Sequence, residues 1–291
     1  MKSFDQDFLK KLERLALQGS KVVFGGTGGN RRSKAKGSAI EFSDFREYTL
    51  GDDYRSIDWN AYARFERLFI KLYMEEREAN ITIFLDTSAS MDQGEPNKGK
   101  LAKELAAILA YMALANYDRV GIAAINNNIV KELPYFSGKP GFTKALSFLD
   151  EINFQGSTSL KNGIMSYSSL HGKRGITILI SDLFSRDGYV EALQYLKYQQ
   201  QEVIVIHILS PQELDPQWTG ALRLIDIESG EPVEVEITPH TSNLYKKALK
   251  TFMDEVKMTC NNMEISYIQV GSDVSLDHIV FEQFQQAGII R

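Results

Sequence analysis

The hydrophobic pattern of residues 80–286 alternates between short apolar runs and longer amphipathic segments. Runs of Val, Ile and Leu predict buried strands, and apolar residues at helical spacing predict helices between them. Continuous apolar strands separated by helices are typical of a doubly wound α/β fold, a mostly parallel sheet with helices on both faces. The strands are predicted at 81–85, 119–125, 129–133, 176–181 and 203–209, and the helices at 98–116, 141–152, 160–170 and 189–200.

Residues 211–239 interrupt this rhythm. Two apolar segments, 222–227 and 233–237, flank the turn sequence Ser229-Gly230-Glu231-Pro232. The second segment alternates strictly between apolar and acidic residues, as a half-exposed strand does. We therefore predict a hairpin inserted at 211–239, ahead of a last helix–strand–helix stretch at 241–286.

The N-terminal region begins with a predicted amphipathic helix, which has Phe4, Phe8, Leu12 and Leu15 on one face. That face is expected to dock on the rest of the chain, with a membrane surface or a partner as the alternative. Residues 18–38 then hold six glycines and five Lys or Arg residues but no acid, which predicts a flexible basic loop. The loop is either a solvated linker or, at 19–37, an anion-binding segment that uses Arg31, Arg32, Lys34 and Lys36.

Residues 41–76 are dense in charges and aromatic rings. They predict short strands at 41–48 and 68–74, with a turn at 50–53. Neighbouring side chains on an extended segment point opposite ways, so turn and ion-pair roles are favoured over a metal site at Asp52 and Asp53. We expect a charged, β-rich extension at 1–79 and an α/β domain at 80–291. The residues of the extension that form a candidate interaction surface are Arg46, Asp52, Asp53, Arg55, Asp58 and Arg64.

Composition narrows the classes of function. Of the 291 residues, 33 are basic and 38 acidic, so the net charge is 33 − 38 = −5, and nucleic-acid binding through bulk charge is not expected. The single cysteine, Cys260, excludes an internal disulfide and a zinc site built from cysteines. No apolar run reaches the roughly 20 residues of a membrane span, and no signal peptide is visible, so the expected location is the cytoplasm.

Polar residues with hard oxygen donors follow two predicted strands and precede one predicted helix. Asp86-Thr87-Ser88-Ala89-Ser90 comes directly after the strand at 81–85, Thr158 lies before the helix at 160–170, and Asp182 follows the strand at 176–181. The carboxyl ends of parallel strands meet at one edge of the sheet, where open α/β folds place their sites. Carboxylates, hydroxyls and waters suit Mg²⁺ or Mn²⁺, with Ca²⁺ as a further candidate. The sequence therefore predicts a metal site formed by Asp86, Ser88, Ser90, Thr158 and Asp182.

The sequence motifs of other kinds of site are incomplete or absent. The segment Gly94–Lys100 (GEPNKGK) looks like a phosphate loop, but Leu101 stands where that loop requires a hydroxyl, and Pro96 removes a donor N–H. The four histidines are far apart in sequence, and no nucleophile elbow is present, so no catalytic residue is predicted.

The set Asp86-x-Ser88-x-Ser90, Thr158 and Asp182 resembles the metal-ion-dependent adhesion site (MIDAS) of von Willebrand factor A (vWA) domains. The segments REYTLGDDYRSIDWNAYAR, FLDTSASM and LRLIDIESGEPVEV resemble the bacterial family called domain of unknown function 58. The resemblance covers most of residues 28–235. It implies a vWA-like, Rossmann-like fold, in which Ser88 and Ser90 bind the ion directly while Asp86 and Asp182 act through water. Thr158 would bind directly or through water, and one position would stay open for a partner's carboxylate.

The resemblance also implies a partnership with a MoxR-type AAA+ ATPase or its client, in chaperone-like assembly. The first functional hypothesis is therefore a non-enzymatic, metal-dependent protein-interaction module. A magnesium-dependent hydrolase or phosphatase is the second, although Ser88 stands where such an enzyme of the haloacid dehalogenase type needs its second Asp. A binder of anionic ligands through the basic loop is the third.

Overall fold

The protein is described by a computed structural model over residues 10, 40–49, 51–75, 79–167, 170, 174–227 and 230–289. The chain divides into two compact units, one formed by residues 27–78 and the other by residues 1–26 and 79–291. Apart from Lys10, the predicted N-terminal helix lies outside the described residues, as does the basic loop with Arg31, Arg32, Lys34 and Lys36.

The described part of the smaller unit is an antiparallel strand pair with a short helix in its connection. Strand β1 (Ile40–Glu47) pairs with β2 (Phe69–Glu75), close to the predicted strands. Helix α1 (Trp59–Phe65) is not predicted from the pattern. It begins at Asp58, whose carboxylate accepts hydrogen bonds from the backbone N–H groups of Asn60 and Ala61, an N-cap that satisfies two otherwise unpaired donors.

The larger unit is built on a mixed α/β core with a central, mostly parallel sheet of six strands. The strands are β3 (Asn80–Asp86), β4 (Arg119–Ile125), β5 (Ile129–Phe136), β6 (Gly175–Ser181), β7 (Gln201–Leu209) and β10 (Ser266–Gly271). They lie in the order β10-β7-β6-β3-β4-β5; the five strands from β10 to β4 run parallel, and β5 is an antiparallel edge strand. Strand β5 extends past the predicted end and includes Pro134, which an edge position tolerates.

Helices cover both faces of this sheet. They are α2 (Lys98–Ala115), α3 (Gly138–Asp150), α4 (Leu160–Met165), α5 (Val190–Tyr198), α6 (Pro211–Leu214), α7 (Pro239–Asn262) and α8 (Leu276–His278), which continues through the π-helical turn Ile279–Gln283 into Phe284–Gln286. Ile81, Ile83 and Leu85 of β3 share a buried cluster with α2 and α3, whereas Phe84 belongs to a second cluster with α4, α5 and α7. This alternation confirms the predicted sheet covered on both sides.

An antiparallel hairpin stands where the sequence predicts it. Strand β8 (Gly220–Ile225) pairs with β9 (Pro232–Ile237), between α6 and α7. Among the described helices, none is long and apolar enough to cross a membrane.

Substitutions of a buried and an exposed leucine test the described packing of helix α2 in the core. Leu105 is fully buried in α2, so Leu105→Ala leaves a cavity and should lower the free energy of unfolding by about 2–5 kcal/mol. Leu244 in α7 is 54% exposed, and Leu244→Ala should change it by about 0.5 kcal/mol or less. Urea denaturation of both variants measures the difference, and equal effects would contradict this packing.

Candidate metal centre

Three chain segments meet at the carboxyl edge of the sheet. Asp86 is the last residue of β3, the central strand between β4 and β6, and Asp182 directly follows β6. The loop that precedes α4 is tied to the segment after β3, because the backbone N–H of Gln155 donates to the Thr87 carbonyl at 2.8 Å. The backbone N–H of Ala89 donates to the Gly156 carbonyl at 2.9 Å. These bonds place Thr158 beside the segment after β3.

Asp86 is the centre of the hydrogen-bond network at this edge. Its Oδ1 accepts the backbone N–H of Ser88 at 3.0 Å and the Thr158 hydroxyl at 2.9 Å. Its Oδ2 accepts the Ser181 hydroxyl at 2.6 Å. The Oγ atoms of Ser88 and Ser90 are 3.0 Å apart. Four predicted site residues therefore form one connected group, together with Ser181, which was not among the predicted ligands.

The fifth predicted residue, Asp182, is held by a different set of donors. Its Oδ1 accepts the backbone N–H of Phe184 at 3.2 Å, and its Oδ2 accepts the Lys98 ammonium at 2.8 Å. The same Lys98 Nζ lies 2.5 Å from Oε1 of Glu213. The side chains of Lys98 and Asp182 are both fully buried, and that of Glu213 is 23% exposed.

Lys98 and Glu213 reach the site from two helix starts. Lys98 is the first residue of α2, after the N-cap Asn97, and Glu213 forms a capping box with Ser210 at the start of α6. The sequence analysis did not assign either residue to the site. The only sequence signal for Lys98 is the failed phosphate-loop pattern at 94–100, which places a lysine in that region without indicating what it contacts.

Burial dominates the electrostatics of the centre. It raises the pKa of the Asp86 carboxyl, and the nearby charge of Asp182 raises it further, which outweighs the hydrogen bonds from Ser181 and Ser88 that lower it. Burial alone lowers the pKa of the Lys98 ammonium, but the charges of Asp182 and Glu213 more than offset this and raise it. Lys98 is therefore positively charged, while ionised Asp86 is unfavourable without a further cation.

The donor set fits a divalent cation that prefers oxygen. With all carboxyls ionised, Asp86, Asp182 and Glu213 carry three negative charges and Lys98 one positive charge, which leaves −2 at the centre. One Mg²⁺ or Mn²⁺ would neutralise it. Within the described part of the chain, no group of three or more His, Cys, Asp or Glu residues is arranged to hold a metal. An ion here would therefore depend on hydroxyls and waters besides carboxylates.

The charged residues of the smaller unit serve mainly local structure. Arg46 pairs with Asp52 at 2.8 Å, and this hydrogen bond, with that from the Thr49 backbone, holds the pKa of Asp52 well below its usual range. Asp53 accepts the backbone N–H of Arg55 and caps a short 3-10 turn, Tyr54–Ser56. The Arg55 guanidinium lies 5.8 Å from the Tyr54 ring centroid.

Two further residues of this set lie on α1. Asp58 is the buried N-cap of the helix, and Arg64 is exposed in its last turn. Their place in a partner surface stays a prediction.

Ionisation of Asp86 generates a pH prediction. Since its folded-state pKa is raised, its stabilising contribution is present below the unfolded value of about 4 and is lost as the pH rises through the folded value. Asp86→Asn carries no charge to bury. In a chelating buffer, we expect its free energy of unfolding to exceed that of the wild type at about pH 7.5 and to converge with it toward about pH 4.

The exposed Asp254 of α7 offers a matched control, because Asp254→Asn changes a solvated side chain and should alter the free energy of unfolding by about 0.5 kcal/mol or less. Urea denaturation across the pH range measures both variants. If Asp86→Asn had a lower free energy of unfolding than the wild type at every pH, the buried carboxylate would not destabilise the metal-free fold.

Known proteins of similar sequence include three from mycobacteria. Uncharacterized proteins of Mycobacterium tuberculosis (strains H37Rv and CDC 1551) and Mycobacterium bovis are each 23% identical over 274 residues, which cover 92% of this chain and 86% of theirs.

Among solved structures, the chain is similar to BatB from Bacteroides thetaiotaomicron at 17% identity and a TM-score of 0.45, with coverage of 72% of this chain and 98% of that one. An aerotolerance-related membrane protein from Bacteroides fragilis is similar at 18% identity and a TM-score of 0.45, with coverage of 72% and 98%.

The family comparison covers most of the chain. The model of the family described as "Protein of unknown function DUF58" matches residues 44–253, which include β3, the Asp86–Ser90 segment, Thr158, Asp182 and Glu213. This span is well over half of the 291 residues. The chain therefore belongs to the DUF58 family.

Proposed function

We propose that this chain is a non-enzymatic, metal-dependent protein-interaction module with a vWA-like domain. The observation that carries the proposal is the convergence of Asp86, Ser88, Ser90 and Thr158 in one hydrogen-bonded group at the carboxyl edge of the sheet. Asp182 adds its charge to the same centre. The donor chemistry supports occupation by Mg²⁺, with Mn²⁺ or Ca²⁺ as alternatives, and so does the charge of −2 that the centre carries when all its carboxyls are ionised.

The present contacts of each side chain support different roles. Both oxygens of Asp86 and both of Asp182 already accept protein hydrogen bonds, so these carboxylates would act on the ion mainly through water. The hydroxyls of Ser88 and Ser90 contact each other and would turn to bind directly. Thr158 would bind directly or through water. Bound there, the ion supplies an electrophilic position for an incoming carboxylate oxygen.

The partner in this proposal is a protein that presents an Asp or Glu side chain. A MoxR-type AAA+ ATPase or its client is the partner class that the family resemblance implies. An enzymatic role is less well supported by the geometry, because Asp86 is enclosed by the donors of Ser88, Thr158 and Ser181. No second carboxylate stands two residues after Asp86 to act as a general acid.

Ser88 gives the most direct test of metal binding. Ser88→Ala removes one proposed ligand without changing the charge, and we expect Mn²⁺ affinity, measured by calorimetry or electron paramagnetic resonance, to fall about tenfold or more. Ser147 of α3 is exposed, and Ser147→Ala should bind Mn²⁺ like the wild type. Equal affinity in Ser88→Ala and wild type would remove Ser88 from the ligand set.

Partner capture tests the proposed function as a whole. The chain serves as bait in native lysate with about 5 mM Mg²⁺, with chelator, and as Asp182→Ala, and bound proteins are identified by mass spectrometry. We expect an AAA+ ATPase or its client to be retained only with Mg²⁺ and intact Asp182. Retention of the same proteins in all three lanes would place the contact elsewhere, with the extension at Arg46–Arg64 as the next surface. Retention of none would favour a screen for hydrolase activity.

A further inference from the structure

A buried lysine is an unusual neighbour for a cation site. Lys98 Nζ lies 2.8 Å from Asp182 Oδ2 with neither side chain exposed to solvent. An ammonium so close to a carboxylate repels a second cation and occupies an oxygen that the second cation would use. Lys98 therefore opposes the binding of a divalent ion at this centre.

Glu213 supplies the opposite charge to the same lysine. Its Oε1 lies 2.5 Å from Lys98 Nζ, and its Oε2 accepts the backbone N–H of Ser210 at 2.7 Å and the Ser210 hydroxyl at 2.9 Å. These bonds fix Glu213 at the start of α6, so it cannot follow a displaced lysine without breaking the capping box. The position of Glu213 thus holds the ammonium between two carboxylates rather than on Asp182 alone.

We propose that Lys98 and Glu213 are a matched pair of internal charges that sets the divalent-cation affinity of the centre, Lys98 by lowering it and Glu213 by raising it. The inference rests on the proposed function, because it assumes the same site for the cation. Neither residue is a metal ligand in this proposal; Lys98 acts through its contact with Asp182, and Glu213 acts through Lys98 and through its own charge. A site weakened in this way depends more on the carboxylate of a partner to complete it.

Charge substitution separates this role from a purely structural one. With all carboxyls ionised, Lys98→Met takes the centre from −2 to −3, Glu213→Gln takes it to −1, and the double variant returns it to −2. The Lys98 charge is fully buried and the Glu213 charge is mostly buried, so a unit change should alter divalent affinity by about tenfold or more even at an effective dielectric constant of about 20. We expect Mn²⁺ to bind most tightly to Lys98→Met, equally to wild type and the double variant, and most weakly to Glu213→Gln.

The experiment is a Mn²⁺ titration of the four proteins, with the free energy of unfolding measured in chelator for each. The unfolding measurement establishes that every variant is folded. It also reports the stability lost when one partner of the buried pair is removed, and this loss is large because the other charge stays buried without its partner. A surface pair provides the control: Lys131 contacts Glu151, both are substantially exposed, and Lys131→Met should leave Mn²⁺ affinity within about twofold of wild type.

The order of affinities decides the inference. If both single variants bind more weakly than wild type, or all four bind alike, the charge role is overturned and Lys98 is structural. If Lys98→Met does not fold, Glu213→Gln and the double variant still decide it, since only a charge effect makes the double bind more tightly than Glu213→Gln.

The wild-type titration tests the proposed function separately. If the wild type binds Mn²⁺ but the affinities of the variants do not follow the expected order, the inference is wrong and the proposed metal site is still supported. Binding by Lys98→Met but not by wild type would support the charge role and contradict a metal-bound resting site. No binding by any of the four would overturn both.

Discussion

Burial of the Asp86 carboxylate is the constraint on which the organisation of this centre depends. A carboxyl group removed from water needs hydrogen-bond partners in the protein, because a buried polar group left unsatisfied costs about 1–3 kcal/mol, and a charged one costs more. Asp86 accepts these bonds from Thr158, Ser181 and Ser88, which lie on three different segments of the chain. All three segments must therefore be in place for the carboxyl group to be satisfied. The backbone bonds from Gln155 and Ala89 align the Thr158 loop with the segment after β3.

Much of this arrangement follows from the sequence, for a physical reason. Residues 120–125 follow Arg119 without another polar side chain, which indicates a strand covered on both faces, and the structure places β4 at 119–125. Once the strands are parallel and adjacent, residues that follow them meet at one edge, so Asp86 and Asp182 are predictable neighbours. Thr158 was assigned by resemblance and position, and its bond to Asp86 agrees with that placement. That these residues hold a metal stays a prediction.

Other features depend on contacts that no local pattern encodes. In the sequence, nothing distinguishes Lys98 from any other residue at the start of a helix. Only the folded chain places its ammonium in contact with Asp182 and Glu213. Helix α1 is not predicted from the sequence because its aromatic and charged residues do not form an apolar stripe; Trp59 and Phe65 are 62% and 65% exposed. The helix at 160–170 ends at Met165, earlier than its periodicity suggests.

The long spacing of the site's partners along the chain has a kinetic consequence. Thr158 and Ser181 are 72 and 95 residues from Asp86, and Lys98 is 115 residues from Glu213. Closing such loops costs entropy that is repaid only when neighbouring strands have joined the sheet. The centre therefore exists only in chains that have completed strands β3, β6 and β7 with their connections. A partner of the proposed kind, which binds at this centre, would distinguish finished molecules from those still folding.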